Sequence, residues 1–114
     1  MIGMSTNKGN RMSAYAVYQL PDTSPMIRDL SFMNAFEIEE ISDQYEVVAR
    51  VDARSLEEVF RIGNFVCEED ASLIEVVGEM RSVSVGDIIH NLTSGDTHVV
   101  DKIGYVMINM KETV

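Results

Sequence analysis

Hydrophobic and polar residues along this chain fall mostly into the short, two-residue alternation of a sheet. From Tyr15 to Leu20 the run Tyr-Ala-Val-Tyr-Gln-Leu reads as a strand, with Val17 on one face and Tyr18 and Leu20 on the other. Pro21 and Pro25 confine residues 21 to 27 to a loop, because proline removes a ladder donor and restricts the residue before it. Ser31 can cap a short helix from Phe32 to about Ile38, with Phe32, Ala35 and Phe36 on one side. The alternation of Phe36 and Ile38 would also suit a strand.

A firmer strand runs from Tyr45 to Val51, where Tyr45, Val47, Ala49 and Val51 share one parity and Glu46, Val48, Arg50 and Asp52 the other. The clearest helix follows. Ser55 and Glu58 form a capping box, Leu56, Val59 and Phe60 have helical spacing, and Gly63 supplies a terminator after about two turns. The segment Leu73 to Val77 reads equally as a strand or as a short helix, since Ser72 could cap either. From Val83 onward the pattern is sheet-like. A Gly86-Asp87 turn leads to Ile88–Leu92, a Ser94-Gly95 turn to Thr97–Ile103, and Tyr105–Ile108 closes a β-meander.

Together these elements predict one α+β domain: a mainly antiparallel sheet of four or five strands with one or two short helices packed on one face. A partly closed small barrel is the alternative. Residues 1 to 12 show no hydrophobic period and are expected to be a frayed extension, the compact domain spanning 13–110 and a short tail 111–114.

A length of 114 residues leaves room for one core, and 46% hydrophobic residues suffice to build it. The single cysteine, Cys67, excludes an internal disulfide framework, and with two histidines it gives no zinc-ligand spacing, so a cytoplasmic location and no cofactor are expected. The net charge of -10 opposes binding to nucleic acid or to an anionic membrane, and no stretch is long and apolar enough to span a bilayer. The acidity belongs to the middle of the chain, where residues 22 to 79 carry 15 acids against 4 bases.

Candidate chemistry is sparse. His90 and His98 lie on the two arms of the expected hairpin and would be near partners, with Asp101 beyond them, but two ligands make no catalytic zinc site. The acids Glu68, Glu69 and Asp70 lack calcium-loop spacing and would raise rather than lower the pKa of Cys67. Ser82 and Ser84 stand in no nucleophile elbow, and neither Gly78 nor Gly86 belongs to a phosphate-binding pattern.

The run Arg81-Ser82-Val83-Ser84-Val85-Gly86-Asp87-Ile88-Ile89 resembles the signature of the YodL-like family. Similar fragments follow that family's order: Tyr15–Leu20, Arg28-Asp29-Leu30-Ser31-Phe32, Tyr45–Val48, Leu56–Phe60 with Asn64, and Asp101–Tyr105. The 16 residues between Asn64 and Arg81 exceed the usual spacing. The resemblance implies a small domain of phages and mobile elements that modulates a bacterial host or element protein, and it brings no catalytic residues. On physical grounds Gly86 permits a tight turn and Asp87 can cap it by accepting backbone N–H groups.

The leading expectation is therefore a noncatalytic protein-binding adaptor or inhibitor. Arg28, Arg81, Glu68, Glu69 and Asp70 are the candidate interaction residues, and an exposed edge strand would allow a homodimer. Two alternatives stand beside it. One is a small-molecule-binding domain or small enzyme whose pocket would gather Arg28, His90, His98 or Asp101; the other is an acidic decoy competing for a DNA-binding groove.

Overall fold

The computed structural model describes residues 12–64 and 68–111. Most of the expected N-terminal extension, Cys67 and the last three residues of the tail lie outside the described residues. Six strands form one antiparallel sheet: β1 (Ser13–Gln19), β2 (Glu46–Ala53), β3 (Ile74–Val76), β4 (Ile88–Asn91), β5 (Thr97–Val100) and β6 (Tyr105–Ile108), in the order β3-β2-β1-β4-β5-β6. Two α-helices, α1 (Ala35–Glu40) and α2 (Leu56–Asn64), and three short 3-10 segments at Ile27–Phe32, Ser42–Gln44 and Glu68–Leu73 complete it among the described residues. The sheet thus exceeds the expected four or five strands, because Leu73–Val77 supplies β3 rather than a helix. It is open, with β3 and β6 at its two edges.

The helices do not share a face of the sheet. Successive strand residues point to opposite sides, and each side has its own core. On one side Tyr15, Val17, Ala49, Val51, Ile89 and Val100 pack under Val59 and Ile62 of α2. On the other, Leu20, Ile88, Val99 and Ile108 pack with Ile38 of α1, Leu30 and Tyr45. Expecting both helices on one face fails because β1, β4 and β5 are apolar at both parities, as strands covered on both sides must be.

Strict alternation along β2 also fails. Val17 lies opposite Ala49 but Tyr18 lies opposite Val47, so Val48 is an extra residue, a β-bulge. The bulge sends Val48 inward beside Ala49 and leaves Val47 exposed, while Tyr45 joins the α1 side.

Helix α1 begins at Ala35, not Phe32. Asn34 is its cap: the Asn34 side chain accepts the Glu37 N–H at 2.8 Å, and Glu37 accepts the Asn34 N–H at 3.0 Å. Ser31 and Phe32 end the preceding 3-10 segment instead. Helix α2 starts as expected, with Ser55 Oγ accepting the Glu58 N–H, although Glu58 reaches back to the N–H of Arg54. Gly63 does not terminate it. Gly63 lies inside the helix, where a Cβ would stand 2.5 Å from Val83 Cγ2, so its small size lets the chain around Val83 approach.

After β6 the chain is tied to α1 and its neighbour: Asn109 N–H donates to Glu39 at 2.6 Å and Lys111 N–H to Ser42 Oγ at 2.7 Å. Edge strands of three and four residues present little backbone for pairing with another chain. No helix of the described residues is long and apolar enough to cross a membrane.

Candidate functional site

The segment 81–87 folds around a buried polar knot. Gln19, a lone amide in the apolar run of β1, is enclosed by the chain it binds: its Oε1 accepts the Arg81 N–H at 2.9 Å and its Nε2 donates to the Arg81 carbonyl at 2.9 Å. The same Nε2 reaches Asp87 Oδ2 at 3.0 Å, which also accepts the Ser84 N–H at 2.9 Å. Gly86 takes φ +97, and its carbonyl accepts the Tyr45 hydroxyl. The turn is thus tied to β1 and to the residue before β2, while Leu30 presses on Gly86, where a Cβ would stand 2.5 Å from Leu30 Cγ.

Asp87 is only 1% exposed, and its Oδ1 is buried without a hydrogen-bond partner among the described residues. Burial pushes its carboxyl up to about 6, against the opposing pull of the Ser84 N–H, Gln19 and the Arg81 charge. Burial likewise holds the Tyr45 phenol above its ordinary value, aided by the Asp87 charge and opposed by Arg81.

Arg81 is spent inside the domain, its guanidinium bonding Asp22 at 2.7 Å and the Leu20 carbonyl at 2.9 Å. Glu68 and Glu69 are exposed, whereas Asp70 is buried and paired with Arg61 at 2.7 Å. Arg28 is exposed in the 3-10 segment and makes no ion pair among the described residues.

His90 and His98 are not partners. Thr97 lies opposite His90 and Ile89 opposite His98, so the two imidazoles fall on opposite faces of the sheet. His90 Nδ1 lies 2.7 Å from Thr97 Oγ1 on the α1 side. The assumed turn centre misplaced them, because the loop from Asn91 to Asp96 brings His90 and Thr97 together. Of three surface clefts, one is lined by His90, another by Asp101, and none by two of the four residues Arg28, His90, His98 and Asp101. Among the described residues no group of three or more His, Cys, Asp or Glu could hold a metal ion.

What the sequence reading missed lies on the surface near Arg28. Phe32 is 80% exposed and Phe36 72%, and the grouping of Phe32, Ala35 and Phe36 on one helix side does not hold. Ala35 and Ile38 take the inward positions of α1 instead. The Asn34-x-x-Glu37 pattern was the available signal, since a cap at Asn34 rotates Phe36 outward. Compared with known proteins, the chain matches no family model, no curated protein and no solved structure.

Proposed function

We propose that this domain is a noncatalytic protein-binding adaptor or inhibitor, YodL-like in kind, acting in the cytoplasm on a protein of a bacterial host or mobile element. The observation that carries the reading is the pair Phe32 and Phe36, exposed over 80% and 72% of their surface. Leaving two such rings in water forgoes burial worth about 1.5–3 kcal/mol each, a loss that a partner's pocket would recover. Four residues of chain span at most about 14 Å, so both rings fall within one docking footprint.

The chemistry of the partner follows from the setting. Asp29 and Glu37 are exposed within three residues of Phe32 or one of Phe36, with Arg28 exposed in the same segment, while Glu40 farther along α1 is paired with Lys111. The surface therefore fits a partner that presents an apolar pocket ringed by lysine or arginine, with long-range attraction speeding encounter.

Copurification from a bacterial host, with wild-type protein and a Phe32→Ser/Phe36→Ser variant, tests this. The expected result is a basic protein that binds saturably, loses about 30-fold or more in affinity with the variant, and binds faster at low salt. Since both rings are exposed, the variant keeps the wild-type melting temperature. A partner held equally well by the variant overturns the docking surface.

A further inference from the structure

On the other side of the sheet, a groove of about 320 Å³ runs between α2 and the turn that joins β5 to β6. Its walls are Glu57 and Phe60 of α2 on one side and Asp101, Gly104 and Tyr105 on the other, with Val100 as lining from β5. We propose that this groove is a binding site for a cationic side chain, arginine or lysine, of a partner polypeptide.

The composition is what such a side chain requires. Val100, Phe60 and Tyr105 offer apolar and aromatic surface for the methylene stem, and an aromatic face attracts the cationic head. The two carboxylates supply the counter-charge. Glu57 is exposed at the start of α2 and has no hydrogen bond or ion pair among the described residues. The arginines of this region are engaged elsewhere: Arg54 with Glu58, and Arg61 with Glu58 and Asp70. Asp101 uses Oδ1 to accept the Lys102 N–H at 2.8 Å, which leaves Oδ2 for a ligand. The Glu57 charge is felt at the groove's aromatic wall, since the Tyr105 phenol is raised by burial first and by Glu57 second.

The geometry also distinguishes this site from the Phe32 and Phe36 surface. That surface belongs to the α1 side, the groove to the α2 side. A domain with both can hold two partners at once, which is what an adaptor does and a simple inhibitor need not.

Amide-resolved NMR titration of the full chain tests the proposal, with N-acetyl-arginine methylamide, its lysine counterpart, and the neutral citrulline analogue as probes. The cationic probes should give saturable shifts confined to the first turn of α2 and residues 100–105. Citrulline, matched in shape but uncharged, should bind at least about fivefold more weakly. Glu57→Gln should weaken the arginine probe about two- to fivefold, and Asp101→Asn, which keeps the bond to Lys102 N–H, should weaken it further. Phe60→Leu should weaken it about two- to fivefold through loss of the ring face. Shifts of equal size with citrulline, shifts centred elsewhere, or unchanged binding by Glu57→Gln overturn the site. The Phe32→Ser/Phe36→Ser variant should bind the arginine probe like wild type, so failure here and failure of the α1-side docking surface are separate results.

Discussion

Asp87 is a carboxylate placed where one of its oxygens finds no partner among the described residues, and the arrangement sets the sign of its effect on stability. Its folded pKa is pushed up to about 6 from the ordinary 3.8, chiefly by burial. A raised value means the folded state binds the proton more tightly than the unfolded chain does. The stabilisation is complete below the unfolded pKa and is lost as pH rises through about 6. The shift of roughly two units corresponds to about 3 kcal/mol. Asp87→Asn keeps an acceptor for Gln19 and Ser84 N–H while removing the charge. Its stability relative to wild type should therefore improve by about 2 kcal/mol between pH 4 and pH 8, the rest of the change lying below pH 4. Denaturant melts at intervals of one pH unit would measure this, and a difference that stays flat with pH would show that Asp87 titrates normally. Part of the knot was legible: Gly86 and Asp87 read as a turn with a backbone cap, and the Ser84 N–H is the group capped. Gln19 is read from the pattern only as part of a strand, although an amide inside an apolar strand signals a buried partner. Which partner it meets, 62 residues along the chain, no local pattern could tell.

Elements whose ends are fixed by nearby side chains were readable, and those fixed by distant packing were not. The start of α2 followed from Ser55 and Glu58, three residues apart. The bulge at Val48 did not, because it depends on how β2 meets β1. Gly63 shows the same divide: its glycine suggested a helix end, yet its reason is the approach of Val83, 20 residues later. Gly63→Ala supplies a better helix former, worth about 1 kcal/mol in an exposed helix. Here the added methyl would sit 2.5 Å from Val83 Cγ2, so the substitution should instead destabilise by about 1–3 kcal/mol. Val83→Ala alone should also destabilise, by opening a cavity. Combining the two should cost less than the sum, since each relieves the other, and a double-mutant cycle on melting curves would show the coupling. Strict additivity would mean that Gly63 and Val83 do not press on each other.

At the scale of the whole molecule the dominant quantity is charge, -10 over 114 residues. The described ion pairs engage Asp22, Glu40, Glu58 and Asp70. With 19 acids against 9 bases, most carboxylates have no basic side chain to balance them, and they repel one another. This acidity was plain in the sequence, as was the scattering of reactive residue types. Where the acids meet aromatic rings was not, because Glu57 and Tyr105 come together only through the packing of α2 on the sheet. Self-repulsion and partner attraction respond to salt with opposite consequences. Raising ionic strength from about 0.01 M to about 0.15 M shortens the screening length from roughly 30 Å to roughly 8 Å. The fold should gain stability across that range, since repulsion among unpaired carboxylates is weakened more than the short ion pairs. If the proposed basic partner buries Phe32 and Phe36, association should slow over the same range while dissociation changes little. Melting temperature and stopped-flow association measured in the same salt series would test both halves. A melting temperature that falls with salt would mean that ion pairing outweighs the repulsion among the carboxylates, and that the acidic surface is a stabilising network rather than a field directed outward.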